Sequence, residues 1–120
     1  MARTIQGWFD LADELGAAGR YFDAHEELEE GWMAASGDEK VLLQGLIQLA
    51  AGLHRLKLDP SKTDGAFYLL DHGLEKLERA KSLLVAKTLA ALKTAVGGIR
   101  SSGQAPESLI FGLKSAGTRS

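Results

Sequence analysis

The chain has 120 residues, 45% of them hydrophobic, which is the size of one domain with a modest core. Its 14 basic and 16 acidic residues give a formal net charge of -2, so the overall charge provides no attraction to nucleic acid or anionic lipid. The absence of cysteine excludes disulfides, thiolate metal sites and a cysteine nucleophile, so any metal would have to be held by His, Asp or Glu.

Helical periodicity runs through nearly every segment of the chain, whereas the two-residue alternation of β-strands does not. We therefore predict an all-α fold, a compact bundle of about five helices. In the first helix Thr4 is placed to act as the cap, and Gly16 and Gly19 mark the end. The second helix is predicted from about Tyr21 to Ala35, where a Ser-Gly pair follows.

The third helix is predicted to be the central one, because its apolar residues fall on two rows instead of one. Asp38 can cap its start, and Asp59-Pro60 ends it, since the proline ring disfavours helical geometry at the residue before it. The longer row consists of Leu42, Leu46, Leu49, Leu53 and Leu56. The charge-free run from Val41 to Leu53 is shorter than the roughly 20 residues of a membrane-spanning helix, so we expect no membrane segment.

From the fourth helix onward, few residues that begin or end helices interrupt the helical pattern. The apolar stripe of this helix consists of Phe67, Leu70, Leu74 and Leu77. Because Ser82 is the only weak break before Val96, the pattern allows two helices or one long rod, and we favour two helices. Gly97-Gly98 is predicted to close the helical region. We therefore assign residues 1–98 to the bundle domain and residues 99–120 to a C-terminal tail, partly docked or disordered.

An internal echo at a spacing of 42 residues relates the second helix to the fourth. The matched pairs are Ala24 with Ala66, Leu28 with Leu70 and Gly31 with Gly73. In addition, the segment from Gly19 to Ala24 fits the Gly-x-Tyr-x-x-Ala pattern that begins the second helix of tetratricopeptide repeats. These observations predict stacked helical hairpins resembling tetratricopeptide repeats.

The second helix carries ionisable groups on its apolar side. At about 100° per residue, one sector of the helix contains Phe22, His25, Leu28, Glu29 and Trp32. We therefore expect the imidazole of His25 and the carboxylate of Glu29 to be largely buried. Burial of such groups costs free energy unless they are hydrogen-bonded, paired or metal-bound. If the second and third helices are antiparallel neighbours, Gln44 and Gln48 would face them.

Several of these residues occur in an order that resembles a known family. The order runs from Tyr21-Phe22-Asp23-Ala24-His25-Glu26, Leu28-Glu29 and Trp32 through residues 43–51 and His54 to Gly65-Ala66. It resembles domain-of-unknown-function family 309 over about Gly19 to Leu77. The resemblance implies a small all-helical bundle of bacteria, archaea and plastid-bearing eukaryotes, whose members are sometimes labelled metal-dependent hydrolases. Arg55 stands where a second histidine is common in that family.

Three interpretations of the polar cluster remain open, and we favour a structural one. The cluster consists of Tyr21, His25, Glu29, Trp32, Gln44, Gln48 and His54. In the favoured interpretation it is a buried hydrogen-bond network, in which glutamine amides satisfy His25 and Glu29 and fix the pairing of the two helices. In the second, His25, Glu29 and His54 bind zinc, iron or manganese, while Glu26 polarises a bound water. The third is a pocket for a small ligand.

The predicted function is binding of a protein partner or of a copy of the chain itself, with a metal-dependent hydrolase as the alternative. A zincin helix requires His-Glu-x-x-His, and Glu29 occupies the position of its second histidine. We expect no nucleic-acid partner, because the basic residues from Lys76 to Lys93 lack interleaved aromatics and a recognised motif. A cytoplasmic location is expected, since no apolar secretory stretch follows Met1.

Overall fold

The computed structural model describes residues 3–116, and within that range it contains five α-helices and one short 3₁₀ turn. The helices are α1 (Ile5–Ala17), α2 (Tyr21–Ala34), α3 (Gly37–Leu58), α4 (Thr63–Arg79) and α5 (Ala86–Ser102). The only strand-like pairing in the described residues is a single bridge between Leu84 and Ser115. The prediction of an all-α bundle of about five helices is therefore confirmed. No helix in the described range is long and apolar enough to cross a membrane.

The first two helices begin and end where the local chemistry requires. The hydroxyl of Thr4 accepts a hydrogen bond of 3.0 Å from the backbone N–H of Gly7, which caps α1 as predicted. The turn into α2 passes through Gly19 at φ +70, a left-handed conformation that favours glycine. Arg20 then precedes α2 without a side-chain cap, and its guanidinium pairs with Asp23 at 2.8 Å. The turn thus fixes the direction in which α2 leaves α1.

The boundaries of the last two helices confirm one prediction and correct another. Helices α4 and α5 are separate, because the chain between Ala80 and Val85 leaves the α-helical conformation. The prediction that Gly97-Gly98 closes the helical region was wrong, since α5 continues to Ser102 and ends at Gly103 with φ +70. The buried residues of α5 include Val96 and Ile99, so the apolar face of the helix continues on both sides of the two glycines. Packing of that face outweighs the roughly 1 kcal/mol that each helical glycine costs.

Helix α3 lies at the centre of the bundle and packs most closely against α4. Its five-leucine row, Leu42 to Leu56, is completely buried, as the sequence pattern predicted. Where α3 crosses α4, a Cβ on Gly73 would lie 2.7 Å from the carbonyl oxygen of Gly45. About two helical turns further along α3, a Cβ on Gly52 would lie 2.9 Å from the carbonyl oxygen of Ala66. The two backbones are therefore in contact, which only glycine permits at these positions.

The buried face of α2 differs from the one predicted. The buried residues of this helix are Tyr21, Ala24, Leu28 and Gly31. Phe22 was expected inside but its relative exposure is 50%, and the side chain of Glu29, also expected inside, is 46% exposed. Helix α2 is rotated about its axis so that its echo residues Ala24, Leu28 and Gly31 face the core, instead of the sector centred on His25. All six residues of the internal echo are buried. The tetratricopeptide likeness itself is not confirmed.

After α5 the chain returns across the bundle as an extended segment, residues 104–116, which we call the C-terminal strap. The strap buries Phe111 and Leu113 in the main core. Its backbone is held at the α1–α2 turn, where the N–H of Leu109 donates to the carbonyl of Gly16 at 2.8 Å. Close approach of the carbonyls of Leu109 and Glu107 leaves no room for a Cβ at Gly16 and Gly19, respectively. The strap therefore forms part of the folded unit. The predicted division at residue 98 falls inside α5.

Candidate functional site

Helices α2 and α3 form an antiparallel hairpin that brings the start of one beside the end of the other. Near the open end of the hairpin, the ring centroids of Phe22 and His54 lie 5.2 Å apart. Near the connecting turn, the ammonium of Lys40 lies 4.2 Å from the ring centroid of Trp32. The first residues of α2 and the last residues of α3 therefore share one surface.

That surface contains a cavity of about 400 Å³, which we call the α2–α3 cavity. It is lined by Gly19, Arg20, Tyr21, Phe22, Asp23, His54, Lys57 and Leu58. Two of its apolar side chains are open to solvent, since Phe22 is 50% exposed and Leu58 is 75% exposed. A cavity of this size is within the range of ligand sites in proteins. The exposed apolar groups make it a candidate interaction surface.

Histidine 25 lies on α2 one turn beyond Phe22 and is flanked by two carboxylates. Its Nε2 lies 3.5 Å from Glu29 Oε1, and its Nδ1 lies 3.6 Å from Glu26 Oε1. The His25 side chain is 26% exposed, with Nδ1 buried and without a hydrogen-bond partner among the described residues. The Phe22 ring stacks against the imidazole with centroids 6.2 Å apart. His25 is therefore mostly covered, as expected, while the Glu29 carboxylate reaches solvent.

The structure brings together only part of the cluster chosen from the sequence. His25, Glu26 and Glu29 are neighbours, and Phe22 links His25 to His54 through ring contacts on both sides. Gln48 does not turn toward α2, because its side-chain oxygen accepts a hydrogen bond of 3.0 Å from Lys76 on α4. The expected network of His25 and Glu29 with Gln48 is therefore wrong.

The remaining members of that cluster lie apart from the cavity or inside the helical framework. Gln44 is partly buried in α3. Trp32 lies near the opposite end of α2, packed against the core, with its indole N–H buried and unpaired among the described residues. These residues were grouped with the histidines because helical periodicity gives only the angle of a residue around its own helix axis. It does not give which residues of the neighbouring helix that residue faces.

The predicted metal ligands are His25, Glu29 and His54, and binding of one metal ion would require their donor atoms to lie close together. Among residues 3–116, no three His, Asp or Glu side chains are grouped so that they could hold one metal ion. His54 contacts the aromatic ring of Phe22, an apolar group that contributes no metal ligand. The described side chains thus do not fit a three-ligand metal centre in this arrangement, and the metal assignment stays a prediction.

Tyr21 forms the inner wall of the cavity and connects it to the C-terminal strap. Its hydroxyl donates a hydrogen bond of 2.7 Å to the carbonyl oxygen of Pro106. Burial raises the pKa of Tyr21 to about 12, since desolvation disfavours the phenolate. The ammonium of Lys57 lies 5.6 Å from the centre of the ring. Tyr21 therefore serves as a fixed structural wall.

A second cavity of about 340 Å³ adjoins the first and shares Leu58 with it. It is lined by Arg55, Leu58, Asp59, Lys62 and Gly65. Leu58 therefore lines both cavities, and the second cavity is formed by the end of α3, the connecting turn and the start of α4. We use the name cavity rim for the charged residues around both cavities, namely Arg20, Asp23, Arg55, Lys57, Asp59 and Lys62.

Sequence reasoning missed Phe22 and Leu58 as exposed apolar groups. A signal for Leu58 was present, because it lies outside the leucine row of α3 that ends at Leu56. A signal for Phe22 was also present in the echo, since the buried positions Ala24, Leu28 and Gly31 place Phe22 away from the core. Taking the echo as the buried face of α2 and the leucine row as the buried face of α3 would have predicted that both side chains are exposed.

The fold and the site define a class of protein. It is an all-α bundle in which the α2–α3 hairpin has an apolar cavity at its open end. Residues 9–67 match the family described as a domain of unknown function, DUF309. This match confirms the resemblance read from the sequence. No curated protein and no solved structure shows a significant match to the chain. Apart from the strap contact at Tyr21, the α2–α3 cavity lies within the matched residues.

Proposed function

We propose that the protein is a binding module and that the α2–α3 cavity is its interaction surface. The occupant is a short segment of a protein partner that places an apolar side chain between Phe22 and Leu58. The observation that carries this proposal is the exposure of those two large apolar side chains, both of which line one cavity. Among the described residues, no side chain buries Phe22 or Leu58 as completely as the core side chains are buried.

The binding energy would come from removing this apolar surface from water. Complete burial of a side chain such as Leu or Phe contributes about 1.5–3 kcal/mol. The wall behind it is rigid, because Tyr21 is anchored to the strap and Lys57 donates a hydrogen bond of 3.0 Å to the carbonyl of Gly19. A rigid apolar pocket with polar groups around its edge is the usual arrangement of a binding hot spot.

The proposal is tested with short random-sequence peptides displayed on phage and selected on the immobilised full chain. Selected peptides are synthesised, and their affinities are measured by fluorescence anisotropy for the wild type and for Phe22→Ala. Loss of one hot-spot side chain is expected to weaken binding about thirtyfold, which corresponds to about 2 kcal/mol. Circular dichroism checks that the variant remains helical.

A matched control is Tyr68→Ala, which removes an aromatic side chain that is 60% exposed on α4, outside the cavity lining. This variant is expected to bind the same peptides as tightly as the wild type does. Equal weakening by both variants would contradict the proposed surface. Sedimentation of the free chain then tests whether the same surface binds a second copy, which Phe22→Ala should also prevent.

A metal-dependent hydrolase is the second candidate function. The observation that favours it is the buried and unpaired Nδ1 of His25, whose neighbours are the carboxylates of Glu26 and Glu29. The test is metal analysis of untagged protein after dialysis against zinc, iron or manganese. A stoichiometric ion that is lost in His25→Ala would support a metal site. Protein without bound metal in each case would count against the hydrolase and leave the binding module unaffected.

A further inference from the structure

The cavity rim is positive although the chain as a whole is negative. Its cations are Arg20, Arg55, Lys57 and Lys62, and its carboxylates are Asp23 and Asp59. Arg20 pairs with Asp23 at 2.8 Å, and Lys62 lies 4.0 Å from Asp59. The two carboxylates are therefore already paired, and the excess positive charge of the rim belongs to Arg55 and Lys57.

Neither Arg55 nor Lys57 forms an ion pair with any carboxylate among residues 3–116. The ammonium of Lys57 donates a hydrogen bond to an uncharged acceptor, the carbonyl oxygen of Gly19. The guanidinium of Arg55 lies against Gly65, where its Nη1 would be 3.0 Å from an added Cβ. Both side chains are exposed. Two unpaired cations therefore stand in the last turn of α3, beside the highly exposed Leu58.

We propose that the partner segment bound by the α2–α3 cavity is acidic, with Asp or Glu residues next to its apolar anchor. This inference rests on the proposed function of the cavity. The apolar anchor contacts Phe22 and Leu58, and the acidic residues pair with Arg55 and Lys57. Complementary charge at an interface edge speeds association and excludes partners of the wrong sign, while each exposed pair adds little affinity by itself.

The carboxylates of α2 determine on which side of the anchor the acidic residues lie. Glu26 and Glu29 follow Phe22 along α2, on the side of the cavity away from the end of α3. Like charges there would repel an acidic residue of the partner. The acidic residues of the bound segment therefore lie toward Arg55 and Lys57, and the residues near Glu26 are neutral or basic.

The test uses three sets of labelled peptides with the same leucine anchor, flanked by Asp and Glu, by Ser, or by Lys. Affinities for the full chain are measured by fluorescence anisotropy at low and at physiological salt. We expect the acidic set to bind about tenfold more tightly than the serine set, which is about 1.4 kcal/mol. The difference should shrink as salt screens the pairs. The lysine set should bind most weakly.

The charge-reversal variant is Arg55→Glu combined with Lys57→Glu, and it should reverse the order of the acidic and lysine sets. The matched control is Arg79→Glu combined with Lys87→Glu, which changes the net charge equally at two other exposed cations without ion pairs among the described residues. The control should keep the preference for acidic peptides. An equal shift in both variants would show a general charge effect and overturn the inference.

Failure of this inference can be distinguished from failure of the proposed function. If serine and acidic peptides bind equally and both are lost in Leu58→Ser, the acidic partner is overturned while the cavity remains an interaction surface. If no peptide from the three sets or from the phage selection binds in a way that depends on Leu58, both proposals are overturned.

Discussion

The side of α3 that faces α4 and the C-terminal end of α3 differ in how closely they are packed. Toward α4 its backbone touches that of the neighbour at Gly45 and Gly73, and the surrounding leucines are fully buried. At its far end, beside the start of α2, the same helix leaves Leu58 75% exposed. The first region has no space for an additional methyl group, whereas the second has a cavity of about 400 Å³.

We propose that the residues that determine stability and the residues that bind a partner lie in different parts of α3. Backbone contact at glycines locks the α3–α4 pair, so substitutions there should change the free energy of unfolding. Apolar side chains that stay in water contribute little to folding, so substitutions at the open end should change binding and leave stability nearly unchanged.

Replacement of Gly73 by leucine should cause the largest loss of stability. An added Cβ would lie 2.7 Å from the carbonyl oxygen of Gly45 and 2.9 Å from Leu49 Cγ, so α3 and α4 would have to separate. Overpacking of a filled core costs about 3 kcal/mol in the upper part of its usual range. Urea unfolding followed by circular dichroism measures the change.

The matched control for this substitution is Gly97→Leu on α5, where nothing lies within 4 Å of an added Cβ. Because leucine favours helix over glycine, this control should stabilise the protein by about 0.5–1 kcal/mol. Effects of equal size and sign at Gly73 and Gly97 would refute the idea that the α3–α4 contact depends on glycine.

Tyr21→Phe should have an intermediate effect on stability. It removes the hydrogen bond to Pro106 and leaves the carbonyl oxygen of that residue without this donor. The expected loss is about 1 kcal/mol, the usual contribution of such a bond. Urea unfolding measures it, and proteolysis within the strap should become faster. An unchanged free energy of unfolding would show that the strap is not held through Tyr21.

The same phenol should give the protein a stability change at alkaline pH. Burial raises the Tyr21 pKa from its ordinary value of 10 to about 12, so the folded state favours the neutral phenol. This contribution is fully present below pH 10 and is lost as the pH rises through about 12. Wild type should therefore lose more stability than Tyr21→Phe across this window in urea unfolding. Parallel pH curves would contradict it.

Leu58→Ser should have the smallest effect on stability. The side chain is already mostly in solvent, so the free energy of unfolding should change by no more than about 0.5 kcal/mol. Binding of the selected peptides should nevertheless fall by at least about tenfold. A large loss of stability without loss of binding would reverse the assignment of the two regions.

Much of the fold follows from local sequence chemistry. The cap at Thr4, the glycine turn at Gly19 and the break at Asp59-Pro60 each act within a few residues, and each helix boundary they predict is observed. The end of α5 was not predictable in this way. Glycines 97 and 98 weaken a helix locally, but the helix persists because Val96 and Ile99 are buried by distant residues.

The candidate site was predicted less well because burial depends on rotation of a helix about its axis. A sector containing both polar and apolar residues is compatible with several rotations, and the one chosen placed Phe22 and Glu29 inside. The observed rotation follows the small residues Ala24 and Gly31, which permit close packing. In addition, the hydrogen bond from Lys76 to Gln48 joins α3 to α4 and has no signature in either segment alone.

The most direct test of the central claim is an NMR titration of the isotopically labelled full chain with one selected peptide. Binding at the α2–α3 cavity should shift the backbone amide signals of residues 19–23 and 54–58, and the α3–α4 signals around Gly45 and Gly73 should stay in place. Shifts concentrated on α5 or the C-terminal strap, with the signals of Phe22 and Leu58 unchanged, would contradict the assignment of the cavity as the interaction surface.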